Sequence, residues 1–381
     1  MSKNVSVDLY DYLKAEERQR AEYIGVEEEE KEEVIDDNLP YDIKDIRIEQ
    51  KMITVFQVEH WIQSGVLNLA PEYQRNKVWD HKRKSALIES LMLRIPIPTF
   101  YLDEDEQGKK SVIDGMQRLS TIHEFINDGF KLIGLQYLSK YERMTFSQLE
   151  LKFRANIEDA ALEINILDAR CPKMVKFDVF RRVNTGGVPL NPQEIRNIMA
   201  TPRVRKLLRD MAGCEEFLLA TGNRINDVRM SAQELCLRYL TILFCYDWEK
   251  DVFNEYYGLM KSMDNMVLTL NRISEKGYQD IVNTFKKVMK QCYCILGELS
   301  FYKPNFKLIN KSLFTGWSVV LTNLCIDDEA IEKHKDDICK EYKISLNQNS
   351  EFFNAITSST GTKKHVMISI HVIRNIVEKF V

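Results

Sequence analysis

No stretch of this sequence approaches the roughly 18 consecutive apolar residues of a membrane helix. The opening Met1-Ser2-Lys3-Asn4-Val5 lacks the apolar core of an export signal. Cysteine occurs eight times without a pairing pattern: Cys292-x-Cys294 is the sole close pair, with no second pair or histidine to complete a zinc site. Most of the eight sit inside apolar helical patterns and read as reduced core residues. Histidine is sparse, and His334, His365 and His371 of the C-terminal half form no cluster. No repeat or heptad array is present. These absences exclude a membrane span and a disulfide scaffold, and the expectation is a cytoplasmic protein with no membrane partner.

What is present is material for sizeable cores: 44% hydrophobic residues in a chain of 381, enough for one large or two moderate domains. The net charge of −4 is unevenly placed. Residues 26–38 alone carry −7, which leaves +3 on the remainder. Between Tyr73 and Arg94 six Lys or Arg stand against Asp80 and Glu89. Lys82, Arg83 and Lys84 at its centre are candidates for a DNA backbone, although such a run also reads as a solvated helix face. The pattern divides the chain into an acidic, partly flexible segment (1–40), an α/β domain (41–200) and a helical domain (201–381).

The chemistry gathers at Val112-Ile113-Asp114-Gly115-Met116-Gln117-Arg118-Leu119. Ser111 to Ile113 is strand-like, Asp114-Gly115 breaks it, and Leu119, Ile122 and Ile126 recur at helical spacing. A strand, a glycine turn and a helix leave backbone N–H groups and the positive end of a helix dipole facing an anion, usually a phosphate. Gly115 admits close approach, Arg118 adds a planar charged fork, and Asp114 is a candidate for a metal ion or a hydroxyl.

Three further segments are expected to serve the same site. Pro71-Glu72-Tyr73-Gln74-Arg75 leads through Trp79 to Asp80, an N-cap for a helix running to Leu93. Asn184-Thr185-Gly186-Gly187 is a tight turn suited to anions, and Asn191, Pro192 and Glu194 fit the start of the next helix. Asn226-Asp227-Val228-Arg229-Met230 precedes a strongly apolar helix to about Cys245. Thr54-x-x-Gln57 resembles a capping box, Thr99 to Leu102 and Ala161 to Leu167 read as strands, and no strand is expected beyond residue 200.

In their order and spacing, the Pro71–Arg75 phrase with Trp79, Leu87-Ile88-Glu89-Ser90 through Pro98, the Asp114–Leu119 turn, and Asn184–Gly187 through Arg196 resemble the N-terminal domain of GmrSD-type, modification-dependent restriction endonucleases. The family turn usually reads Asp-Gly-Gln-Gln-Arg, and here its first Gln is Met116. The resemblance implies a ParB/sulfiredoxin-like α/β domain; with the apolar helical periodicity that runs on from about residue 200, the expected fold is α+β, that domain followed by a mainly helical one. The resemblance also implies NTP binding and hydrolysis with Mg²⁺, coupled to DNA recognition in anti-phage defence. In that scheme Asp114, Gln117 and Arg118 are catalytic. Arg118 and the Gly115 backbone hold phosphates, Gln117 positions water or base, and Asp114 holds the metal. Gln74, Arg75, Asn184, Gly186 and Gly187 complete the nucleotide pocket.

The full-length enzymes carry a C-terminal HNH-like nuclease, for which no histidine cluster is present here, so a partner nuclease chain is implied, and a homo-oligomer is a further expectation. Three readings stay open at this point: an NTPase, a sensor of nucleotide or DNA without turnover that regulates a separate nuclease, and a ParB-like nickase. The last would need a general base from among Asp114, Glu89 and Glu194.

Overall fold

The computed structural model describes residues 24–27, 43–69, 79–183, 191–304, 306 and 308–381. The chain divides into two compact units, one of Asp37–Ile198 and one of Met1–Asp36 with Met199–Val381. The architecture is α+β: a five-stranded mixed sheet in the first unit and a mainly helical second unit.

The first unit opens with β1 (Ile48–Thr54) and the helix α1 (Val55–Gln63). Thr54 starts the helix by accepting the Gln57 N–H at 3.3 Å. The short β2 (Leu67–Asn68) comes next among the described residues, then α2 (His81–Met92), whose N-cap Asp80 accepts the Arg83 N–H at 2.8 Å. Strands β3 (Phe100–Glu104) and β4 (Lys110–Asp114) form a hairpin. Asp105 folds its tip by accepting the N–H groups of Gln107 and Lys109. Helix α3 (Met116–Ile126) follows β4 directly, and α4 (Leu151–Glu158) precedes β5 (Ala161–Leu167).

The strand order is β1-β5-β3-β4-β2, with β1 antiparallel to β5 and β3 parallel to it. Period-two alternation sets the core face: Leu162, Ile164 and Ile166 of β5 are buried with Phe100 and Leu102 of β3 and Val112 of β4. Leu119, Ile122 and Phe125 bring α3 onto that face. On the other face, α5 (Lys173–Val183) is tied down by the buried Lys176 Nζ, which donates to the Asp103 carboxylate. Helix α6 (Pro192–Met199) begins with a reciprocal capping box: Asn191 Oδ1 accepts the Glu194 N–H at 2.8 Å, and Glu194 accepts the Asn191 N–H at 2.7 Å.

In the second unit, α7 (Pro202–Ala212), α8 (Glu215–Ala220) and α9 (Ser231–Cys245) are followed by a small hairpin of β6 (Tyr246–Asp247) and β7 (Val252–Phe253). The expectation of no strand beyond residue 200 is thereby corrected. Two-residue strands are too short to show alternation, and the next helix, α10, spans Leu259–Leu270. Helices α11 (Glu275–Leu296), α12 (Lys311–Leu324), α13 (Asp328–Gln348), α14 (Ser350–Ala355) and α15 (Lys363–Glu378) complete the unit.

Helix α9 is buried almost all round, as its apolar sequence demands. Gly316 lets α12 and α15 approach closely, since a Cβ there would lie 2.7 Å from Ile373 Cδ1. The short segment 24–27 is threaded into this unit. Its Val26 is buried, Glu27 N–H donates to Ile309 O, and Glu27 pairs with the buried Lys303 at 3.0 Å. Among the described residues no helix is long and apolar enough to cross a membrane.

Candidate functional site

The Asp114-Gly115 turn connects the last residue of β4 to the first turn of α3, as its residue types dictate. Gly115 is the N-cap, at φ +98°, a left-handed value that suits glycine, and it offers no side chain to cap the helix. The ring of Phe100 also packs against its Cα, so a Cβ would collide with that ring. The first turn of α3 therefore keeps its N–H groups without a side-chain cap and carries the positive end of the dipole.

Arg118, expected to hold phosphate, faces inward. Its Nη1 donates to Pro98 O, and its Nη2 donates to Thr99 O at 3.1 Å and to Asp114 Oδ2 at 3.0 Å. The guanidinium lies 4.3 Å from the centroid of the Phe100 ring, and the residue is only 9% exposed. Pro98 and Thr99 precede β3 and lie outside its ladder residues, and their carbonyls are met by the guanidinium instead. In this geometry Arg118 is a brace between the strand entry and the turn. Burial pushes its pKa down, and Asp114 opposes that shift. Burial likewise pushes the Asp114 carboxyl above its ordinary value, against the Arg118 charge and the Gly115 N–H.

Gln117 is half-buried, and its Oε1 accepts the Trp79 N–H at 3.3 Å. That bond sets the start of α3 beside the start of α2. Arg83 stacks on the Trp79 ring at 4.5 Å, and Lys82 and Arg83 are exposed on the first turn of α2. Lys84, grouped with them on charge alone, is withdrawn from the surface. It is 6% exposed, its ammonium is 2.6 Å from Glu124 Oε2, and it also sits over Phe130. The reason is helical register, which places Lys84 on the buried face with Leu87, Ile88 and Leu91.

The three carboxylates considered as general bases are all engaged. Asp114 pairs with Arg118. Glu89 is buried and accepts the N–H groups of Gln136, Tyr137 and Leu138 at 2.7–3.0 Å. Glu194 is buried in its capping box. Asp114 is equally ill suited to a metal: its carboxylate already faces a guanidinium. Among the described residues no group of three His, Cys, Asp or Glu could hold a cation. The expected pocket residues Gln74, Arg75, Asn184, Gly186 and Gly187 lie outside the described residues.

Sequence reasoning did not find Phe100, Pro98 and Thr99 as partners of Arg118, nor the pair of Glu59 and His123, 2.9 Å apart, that joins α1 to α3. The spacing of Asp114 and Arg118, four residues apart, was the signal that could have found their ion pair, and only the fold brought the β3 entry to them.

Residues 58–199 match the family model described as GmrSD restriction endonuclease, N-terminal domain, a stretch that contains every residue placed above in the candidate site. No curated protein and no solved structure matches the chain.

Proposed function

We propose that residues 58–199 form the ligand-sensing module of a restriction-type defence system. In this reading the uncapped start of α3 receives a phosphate of a nucleotide, and the exposed basic start of α2 meets a DNA backbone. The observation that carries it is the pairing of two helix starts through Gln117 and Trp79, with backbone N–H groups on one and Arg83 and Lys82 on the other. Gln117 positions the two starts, the Trp79 ring with Arg83 offers a stacking surface, and Arg118 holds the turn in shape from behind.

Binding without turnover is the reading this geometry favours, because Asp114, Glu89 and Glu194 are each engaged and none is left as a base for water. Its output would pass to a separate nuclease chain. Hydrolysis of an NTP is the second reading. The family resemblance and the position of Gln117 at the mouth of the turn support it, since phosphoryl transfer rests mainly on positioning and charge.

The test is calorimetry with ATP, GTP, CTP and UTP, with and without DNA, beside phosphate release in Mg²⁺ for wild type and Gln117→Ala. Nucleotide binding without phosphate release, weakened in the variant, is the expected result. Phosphate release lost in the variant moves the conclusion to the hydrolase. Absence of both binding and release overturns the phosphate site.

A further inference from the structure

Strand β1 is an edge of the five-stranded sheet, and among the described residues no strand lies against its outer side. Its hydrogen-bonding parity follows from its two ends. Arg47 O accepts the Asp168 N–H, and Val55 N–H donates to Ala160 O, so the odd-numbered residues of this antiparallel pair face β5. The N–H and C=O groups of Ile48, Gln50 and Met52 therefore point away from the sheet. Long edges of this kind invite pairing unless something blocks them. Ile48 is 42% exposed and Met52 67%, two apolar side chains on one face of the open strand.

The sequence of this edge is complementary to itself. In an antiparallel pair of two β1 strands with its two-fold axis at Gln50, the Gln50 backbones exchange both hydrogen bonds. Ile48 then faces Met52 of the other copy, and Glu49 faces Lys51 of the other copy, each twice by symmetry. Glu49 and Lys51 are exposed and now pair with each other, 2.9 Å apart within one chain, so both are available to be exchanged across a two-fold. A register shifted by one residue loses both matches. We infer that β1 is the self-association edge of this protein, through which two copies join their sheets antiparallel about Gln50, with Glu49 and Lys51 setting the register.

The full chain is tested by sedimentation over a concentration series for wild type, Glu49→Lys, Lys51→Glu, the double exchange, and an equimolar mixture of the two single variants. Circular dichroism confirms that each is folded. Wild type is expected to dimerise with rising concentration. Each single reversal sets like charges opposite each other at two symmetric positions and is expected to weaken the dimer by about tenfold. The double exchange and the mixture both restore opposite charges, and both are expected to recover association. Hydrogen exchange at Ile48, Gln50 and Met52 slows as the dimer forms. A wild type that stays monomeric at its highest soluble concentration overturns the inference. So does a dimer indifferent to the single reversals, or one that the mixture fails to rescue.

Discussion

The guanidinium of Arg118 lies over the face of Phe100, 4.3 Å from its centroid, while the same ring packs against Gly115 on the turn that Arg118 braces. One aromatic side chain thus backs both the charged group and the glycine. Arg118→Ala is expected to leave the half-buried Asp114 without its counter-charge and to destabilise the first unit by about 3 kcal/mol. Gly115→Ala combines a left-handed φ with a collision on Phe100, at a cost of about 2 kcal/mol. Thermal denaturation of both variants checks these values. Unchanged melting of Arg118→Ala would return that residue to the role of a phosphate ligand.

Gln117→Ala and Arg83→Ala touch the ligand-facing side of the same helix starts. Arg83→Ala, which removes part of the stacking surface, is expected to keep the wild-type melting temperature, whereas Gln117→Ala, which leaves the Trp79 N–H without its acceptor, is expected to cost about 1 kcal/mol of stability as well; each is expected to weaken nucleotide binding about tenfold. Calorimetry at matched salt provides the comparison.

Lys82 and Arg83 are exposed, whereas Lys84 is buried against Glu124. Changing Lys82 and Arg83 together to Ala is expected to reduce the slope of log affinity for DNA against log salt by about 2. Lys84→Ala is expected to leave that slope alone and instead to lower stability by about 1 kcal/mol, because its buried stem packs over Phe130 while its partner Glu124 stays partly in water. Fluorescence anisotropy across a salt series, with melting curves, separates the two effects.

Burial would raise the pKa of Glu89, but three backbone N–H groups outweigh it and hold the carboxyl below its ordinary 4.5. A folded-state pKa below the unfolded one makes the unfolded chain take up the proton first. Glu89 therefore contributes stability above about pH 4.5 that is lost as pH falls through its folded value. Glu89→Gln is expected to flatten the acid limb of stability relative to wild type. Chemical denaturation from neutral pH down to pH 3 gives the difference curve.

Glu27 anchors segment 24–27 in the helical unit through Lys303 and the Asn310 side chain, at 3.0 and 2.8 Å. Glu27→Gln leaves the Lys303 ammonium buried without a counter-charge and is expected to cost about 3 kcal/mol. Limited proteolysis then cuts sooner near residue 27, and equal cleavage rates in both proteins would refute the anchoring role.

Local order was legible at the helix starts, where the partner of a residue sits three positions away. Thr54, Asp80 and Asn191 each stand as helix starts because their acceptors reach N–H groups one turn on. Alternation over Ala161–Leu167 marks a strand because side chains on a pleat change sides at every residue. Gly115 marks the turn because the chain reverses there through a left-handed conformation. By these rules the sequence alone determined an α+β chain with a glycine turn opening a helix. The fate of its charges was decided only by tertiary structure. Arg118 meets carbonyls about 20 positions away, and Lys84 meets a carboxylate 40 positions away. Whether a cation in such a helix faces phosphate or protein depends on which distant backbone passes beneath it. That follows from the packing of strands and helices around a shared core, and no local periodicity records it.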